Sequence, residues 1–193
     1  MSYDKENRML VSDTSGAKTT YTYDGDGMKR SENSGSGVTT LVWDGSDYLG
    51  EVTGGTFSKR YHNINSQIVA YETGGTRKDF LTDHLGSVHA EIDQSQTRTL
   101  DTRYAPYGNT LWEDGTGDKF RWVGAWGYRT TSLFASHYVR ARHYSNKTAN
   151  WTTTDPLWPR EATYTPVNSK PTANYDYKGL SCQKTGNTKT NPC

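Results

Sequence analysis

The chain has no apolar run near the roughly 18 residues that a membrane-crossing helix needs, so no helical span is encoded. A leader-like segment is missing too: Met1-Ser2-Tyr3-Asp4 passes directly into patterned sequence. The expectation is export by another route, or membership of a longer protein. Charge of one sign is also lacking. Lys and Arg number 22 and Asp and Glu 21, a net charge of +1, which excludes a basic nucleic-acid surface and an acidic solvating tail.

Aliphatic residues are sparse, and there are only 4 Phe and 3 Met in 193 residues. Scarcity of that kind accompanies disorder when net charge is high and aromatics are few. Here 14 Tyr and 6 Trp bring aromatics to 12%, and each ring can bury roughly 150–250 Å². Burial is therefore carried by rings, and a chain rich in Tyr, Thr, Gly and Trp has a β composition. The composition predicts an ordered all-β protein of about one domain with a thin core.

Signatures of small-molecule chemistry are missing as well. Gly35-Ser36-Gly37 and Gly54-Gly55 sit in turn contexts with no helix to follow, unlike a phosphate loop. No GxSxG elbow or Cys–His nucleophile pairing is present. Of the histidines His62, His84, His89, His137 and His143, none has the cysteines or carboxylates that would complete a tetrahedral set. They read as packing or turn residues, and no metal or cofactor is expected.

What the chain does contain is a repeat. Asp79 to Gly108 is one full unit: Val88, Ala90 and Ile92 alternate with His89 and Glu91, a polar turn follows, and a second alternating strand runs to Tyr104. Looser copies precede it. The acidic turn position recurs at Asp4, Asp24, Asp44 and Asp83, with His62 and Ala105 occupying it in the remaining units. An Asp folds its carboxylate onto following amides and Gly supplies positive φ, so each unit is a hairpin. Tyr23, Trp43, Tyr61 and Tyr104 stand before these turns and are expected to stack between neighbouring hairpins, because one hairpin alone is marginal in water. The fold class that follows is all-β: stacked antiparallel hairpins forming a curved, twisted sheet or partial shell, ended by an irregular C-terminal segment.

The phrases YDKENRML, YTYDGDGMKR, DHLGSVHAEID and RYAPYGNTLW resemble the tyrosine–aspartate (YD) repeats of the bacterial Rhs (rearrangement hotspot) proteins, which have distant relatives in toxin-complex and teneurin shells. The stretch FRWVGAWGYRTTSLFASHYVRARHYSNKTANWTTTDPLWP resembles the core domain that closes the Rhs repeat array. The resemblance implies a sheet that spirals into a hollow shell with the core curled inward. It divides the chain into a repeat array over 1–117, a core-like segment over 118–180 and a polar tail over 181–193. About six repeats are too few to close a large shell, so the chain is expected to meet upstream repeats of a longer parent or copies of itself. In the tail, Cys182 and Cys193 read either as a disulfide, which would suit an extracellular or cell-surface setting, or as two free thiols.

The same resemblance implies one reaction. Rhs cores are similar in carrying two Asp-Pro-x-Gly-Leu phrases, with aspartyl-type self-cleavage after the second. Here they stand altered as Asp155-Pro156-Leu157-Trp158-Pro159 and Asp176-Tyr177-Lys178-Gly179-Leu180. Asp155 and Asp176 would be the acid–base pair, Arg142 (or Arg140) the holder of the ionised partner, and the cut would fall between Leu180 and Ser181. The expected role is nevertheless a non-catalytic structural or assembly module, shell or filament, with self-cleavage at most vestigial. A carbohydrate-binding adhesin built on exposed Trp is the other alternative, giving glycans as further partners; nucleic acid is not expected.

Overall fold

The computed structural model describes residues 1–14, 16–131, 137–155, 157–158, 163–166, 169–176, 178–180 and 183–184. Twelve antiparallel strands form one open sheet in which sequence order is spatial order. They are β1 (Ser2–Tyr3), β2 (Met9–Thr14), β3 (Ala17–Tyr23), β4 (Lys29–Asn33), β5 (Val38–Asp44) and β6 (Asp47–Thr53). The row continues with β7 (Thr56–Ile64), β8 (Gln67–Thr73), β9 (Thr76–Thr82), β10 (Val88–Asp93), β11 (Arg98–Tyr104) and β12 (Thr110–Gly115). Every pairing is a local hairpin, as a chain rich in turn residues and alternating strands dictates.

One turn design recurs. At Asp4, Asp24, Asp83 and Asp93 the carboxylate Oδ1 accepts the amide four residues on, at 2.8, 2.8, 2.8 and 2.9 Å. The residue three positions after each Asp takes the left-handed conformation: Asn7, Gly27, Gly86 and Gln96. Ala105 opens the same backbone turn, with Gly108 in the left-handed position, but has no carboxylate to fold back. Asp44 differs. It pairs with Asp47 across a two-residue Gly45-Ser46 turn, too tight for the longer loop that its counterparts cap.

The repeat is also marked by bulges, where one strand carries an extra residue. Four of them fall between Thr22 and Tyr23, Val42 and Trp43, His62 and Asn63, and Arg103 and Tyr104. The residue after each of these four donates to a carbonyl of the preceding strand. Tyr23 Oη reaches Met9 O (2.8 Å), Trp43 Nε1 reaches Lys29 O (2.8 Å), Asn63 Nδ2 reaches Tyr48 O (2.9 Å) and Tyr104 Oη reaches Val88 O (3.2 Å). This register corrects the sequence alignment of the third unit. Asn63, not Tyr61, is equivalent to Tyr23 and Trp43, and Ile64, not His62, stands at the turn position. Tyr61 belongs with Tyr21 and Leu41, two residues earlier, which point into the core at 6% and 0% exposure.

The core lies on the face bearing those residues. Leu41, Tyr48, Tyr61, Ile68, Tyr71, Phe80 and Val88 form one cluster with Phe120, which comes from beyond the sheet. Phe120 meets Tyr48 and Tyr61 edge-on at centroid distances of 5.2 and 5.0 Å, an arrangement worth about 0.5–1.5 kcal/mol per pair beyond area burial. Trp43 packs on Tyr48 at 4.7 Å, whereas Tyr23 and Tyr104 flank two other clusters, so the four aromatics do not form one stack.

After β12 the chain turns back across the inner face. Its elements there are a 3-10 turn (Gly124–Trp126), β13 (Arg129–Thr130), β14 (His137–Val139), β15 (Arg142–Ser145) and β16 (Asn150–Trp151), the four strands making a second sheet. A third pairing joins β17 (Asn174–Tyr175) and β18 (Gln183–Lys184). The inner segment is fastened by buried polar studs. Arg129, 2% exposed, forks onto Glu32 at 2.7 and 2.8 Å and reaches Glu51 at 2.8 Å. Asp118 is paired with Lys59 and Tyr61, and Glu91 accepts the Asp118 amide at 2.6 Å and the Tyr71 hydroxyl at 3.0 Å.

Candidate functional site

The residues that the sequence nominated for chemistry converge beneath β15. Arg142 is 3% exposed and Asp155 and Asp176 are 4% and 2% exposed. The Arg142 Nη2 lies 2.8 Å from Asp155 Oδ2 and 3.5 Å from Asp176 Oδ2, so both carboxylates share one guanidinium nitrogen. Their other oxygens do matching work. Asp155 Oδ1 accepts the Leu157 amide (2.8 Å) and Asp176 Oδ1 accepts the Leu180 amide (3.1 Å). The two altered phrases are thus two similar Asp-capped turns, joined back to back through one arginine.

The surroundings tighten this arrangement. Arg142 Nε donates to Gly179 O at 2.5 Å, and the guanidinium sits over the Trp151 ring at 4.2 Å. Tyr128 donates its hydroxyl to Asp176 O at 3.0 Å. Gly179 adopts φ +68°, and a Cβ there would lie 2.5 Å from Val139 O, so only glycine lets the turn approach β14. Burial pushes the Arg142 guanidinium below its ordinary value, against the pull of Asp155 and Asp176. Arg142 Nη1 has no hydrogen-bond partner among the described residues. A buried cation flanked by two carboxylates has its charge compensated, as burial demands.

Arg140, the other arginine of the phrase, goes elsewhere: it donates to Ser46 O and Trp126 O and ties the second sheet to a hairpin turn. Leu180 lies at the rim of the cluster, whereas Ser181, Cys182 and Cys193 lie outside the described residues. Tyr128 and Trp151 had no chemical signal in the sequence, and Gly179 was visible only as the retained Gly of the second phrase. Their roles come from packing against Arg142.

Among the described residues no group of three or more His, Cys, Asp or Glu could hold a metal ion. No helix among them is long and apolar enough to cross a membrane. Trp122 and Trp151 are buried, and Trp112 and Trp158 are exposed at 50% and 60%.

The fold defines a class: an open sheet of serially stacked hairpins with the following segment packed on its inner face. No family model matches the chain, and no curated protein does. Solved structures are similar. One is the TcdB2-TccC3 crystal structure, at 16% identity and a TM-score of 0.68 over 93% of this chain. Another is the Photorhabdus luminescens Tc holotoxin pore with an aspartate mutation in TccC3, also at 16% identity, with a TM-score of 0.68 over 99% of this chain. In each case the match covers 10% of the toxin chain, so this chain spans about a tenth of their length. The likeness is one of fold.

Proposed function

We propose that this chain is a structural module of an Rhs-like, YD-repeat protein, a piece of β-shell or filament wall rather than an enzyme with turnover. The observation that carries this reading is the twelve-stranded sheet in strict sequence order, with an inner face filled by its own C-terminal segment and exposed strands at both edges. The likeness of fold to TcdB2-TccC3 supports it. Every residue of β12 is exposed, including Leu111 at 70% and Trp112 at 50%, and an unpaired edge of that kind recruits a further strand unless it is blunted. At the opposite edge β1, also exposed, the partner is then upstream repeats of a longer parent, or the two edges meet in copies of this chain, head to tail, which gives a ring or open fibre. An extracellular or cell-surface location belongs to the same proposal. Negative-stain microscopy with light scattering tests it: polymers or closed assemblies are expected, and a monodisperse monomer that also fails to bind added repeat hairpins refutes it.

A second reading, self-cleavage after Leu180, is favoured by one observation: Asp155 and Asp176 do meet on Arg142, with the Leu180 amide held by Asp176. In this reading one carboxylate activates water against the Leu180 carbonyl and the other protonates the departing Ser181 nitrogen. Intact-mass measurement after incubation decides it. Loss of the tail that stops on Asp155→Asn or Asp176→Asn supports the reading, and a single mass near 21.7 kDa ends it.

A further inference from the structure

Lys59 and Asp118 stand 59 residues apart and belong to the two layers of the molecule, β7 of the repeat sheet and the link that follows β12. Lys59 Nζ is in contact with Asp118 Oδ1; the Asp118 side chain is fully buried, and that of Lys59 keeps 23% of its surface. The other oxygen, Asp118 Oδ2, accepts the Tyr61 hydroxyl at 3.0 Å and the Phe120 amide at 3.4 Å. Rings enclose the pair: Lys59 Nζ lies 5.0 Å from the Tyr71 centroid, and Tyr61 and Phe120 meet edge-on at 5.0 Å. A second acid stands against the same aspartate. Glu91, with no exposed surface, accepts the Asp118 amide at 2.6 Å through Oε1 and the Tyr71 hydroxyl at 3.0 Å through Oε2. Gly117 permits that approach, since a Cβ there would lie 2.4 Å from Glu91 Oε1.

An ion pair at the seam accounts for Lys59 and Asp118 but not for Glu91 beside them. Glu51, the cross-strand partner of Lys59, is taken up by Arg129 and Lys119, so Asp118 is the carboxylate in contact with the lysine. Passage of a proton from the ammonium to that carboxylate leaves an amine against a carboxylic acid, the two reactants of amide formation. Among aromatic rings it also removes two buried charges. Holding the reactants in contact replaces a bimolecular encounter by a step within one molecule. What remains is to carry protons from the attacking nitrogen to the departing oxygen, the task of a general acid and base. Burial raises the Glu91 carboxyl above its ordinary value, against the pull of the Asp118 amide and the Tyr71 hydroxyl, and the Asp118 charge adds to the rise. Glu91 therefore keeps a proton to higher pH than an exposed glutamate does.

We propose that Lys59 and Asp118 become joined by an isopeptide bond, a covalent tie between the repeat sheet and the inner segment, with Glu91 as its proton relay. Lys59 Nζ bonds to Asp118 Cγ, one Cγ–Oδ bond breaks, and the oxygen leaves as water. Glu91 passes a proton to the departing hydroxyl and takes one from the nitrogen, ending as it began. The tie does not rest on the shell reading. The test is mass spectrometry of the denatured full chain, intact and after trypsin. A mass one water below that of the sequence is expected, with a branched peptide linking Lys59 to Asp118 and no cut after Lys59. Lys59→Arg keeps the ion pair but cannot form the amide, and should show its full mass. In freshly synthesised chain, Glu91→Gln should slow the loss of water at least about 100-fold. Full mass in the unaltered chain after long incubation, or a loss of water that persists in Lys59→Arg, overturns the proposal. An unchanged rate in Glu91→Gln overturns the role given to Glu91.

Discussion

Lys29 has no exposed surface. Its Nζ lies 4.0 Å from the ring centroids of both Tyr21 and Tyr138 and 3.2 Å from His143 Nε2. Burial pushes the amine down to about 7; Glu32 pulls it back, while Arg129 and Lys119 add to the shift. Burial and Lys29 itself hold His143 well below its ordinary value, so the neutral imidazole accepts from the amine. In the unfolded chain a lysine titrates near 10.4, so between about 7 and about 10 the unfolded state binds more protons and stability rises with pH. Below that window the penalty is fully present. Lys29→Met is therefore expected to stabilise the protein by a few kcal/mol at pH 6, with the advantage shrinking toward pH 10. Urea unfolding at several pH values checks this, and an advantage that does not change with pH contradicts it. Tyr21 alone does not announce Lys29 as buried, because Tyr138 and His143, which complete its enclosure, stand 109 and 114 residues further along the chain. The Asp155–Arg142–Asp176 cluster was legible only through resemblance to a motif; spacing alone does not say that two turns share one arginine.

At the scale of elements, the hairpin turns carry the C-terminal segment as well as the sheet. Gly86 and Gly108 occupy the same place in equivalent turns, at φ +85° and +89°. A Cβ on either would lie 2.6 Å from a tryptophan ring of the inner segment, Trp126 in one case and Trp122 in the other. Gly108→Ala combines backbone strain with displacement of Trp122 and is expected to destabilise by roughly 2–4 kcal/mol. Thermal unfolding with tryptophan fluorescence reads the effect, and a loss within 0.5 kcal/mol, as for an ordinary surface change, would show that the turn yields freely. The hairpins themselves were plain from alternation and turn residues. The register of the third unit was not, because Asn63 does with an amide what Tyr23 and Trp43 do with rings, and because Asn65 and Ser66 turn in two residues. A reading that follows aromatic residues lands on Tyr61 instead.

For the whole molecule, sheet and inner segment are joined by ion pairs that neither can satisfy alone. Removing one member of a buried pair costs about 3–5 kcal/mol, because its partners stay buried and uncompensated. Arg129 holds Glu32 and Glu51 together; burial alone would raise the Glu32 carboxyl, and the Arg129 hydrogen bonds and charge hold it down at about 2. Arg129→Met is expected to loosen the inner segment first, seen as faster hydrogen exchange in β13–β15 than in β5–β8. Uniform acceleration across both would mean that the two layers unfold as one unit.

What the chain determined by itself is local: a strand where residues alternate, a turn where Asp precedes Gly or Asn, and a core of rings because aliphatic side chains are few. Each depends on neighbours within about twenty residues, which the text of a sequence displays. Only the tertiary structure decided that Phe120 would seat among Tyr48 and Tyr61 and that Arg129 would find Glu32. Phe120 is chosen by shape and Arg129 by the need to pair buried charge with Glu32, 97 residues away, and no short pattern records such contacts.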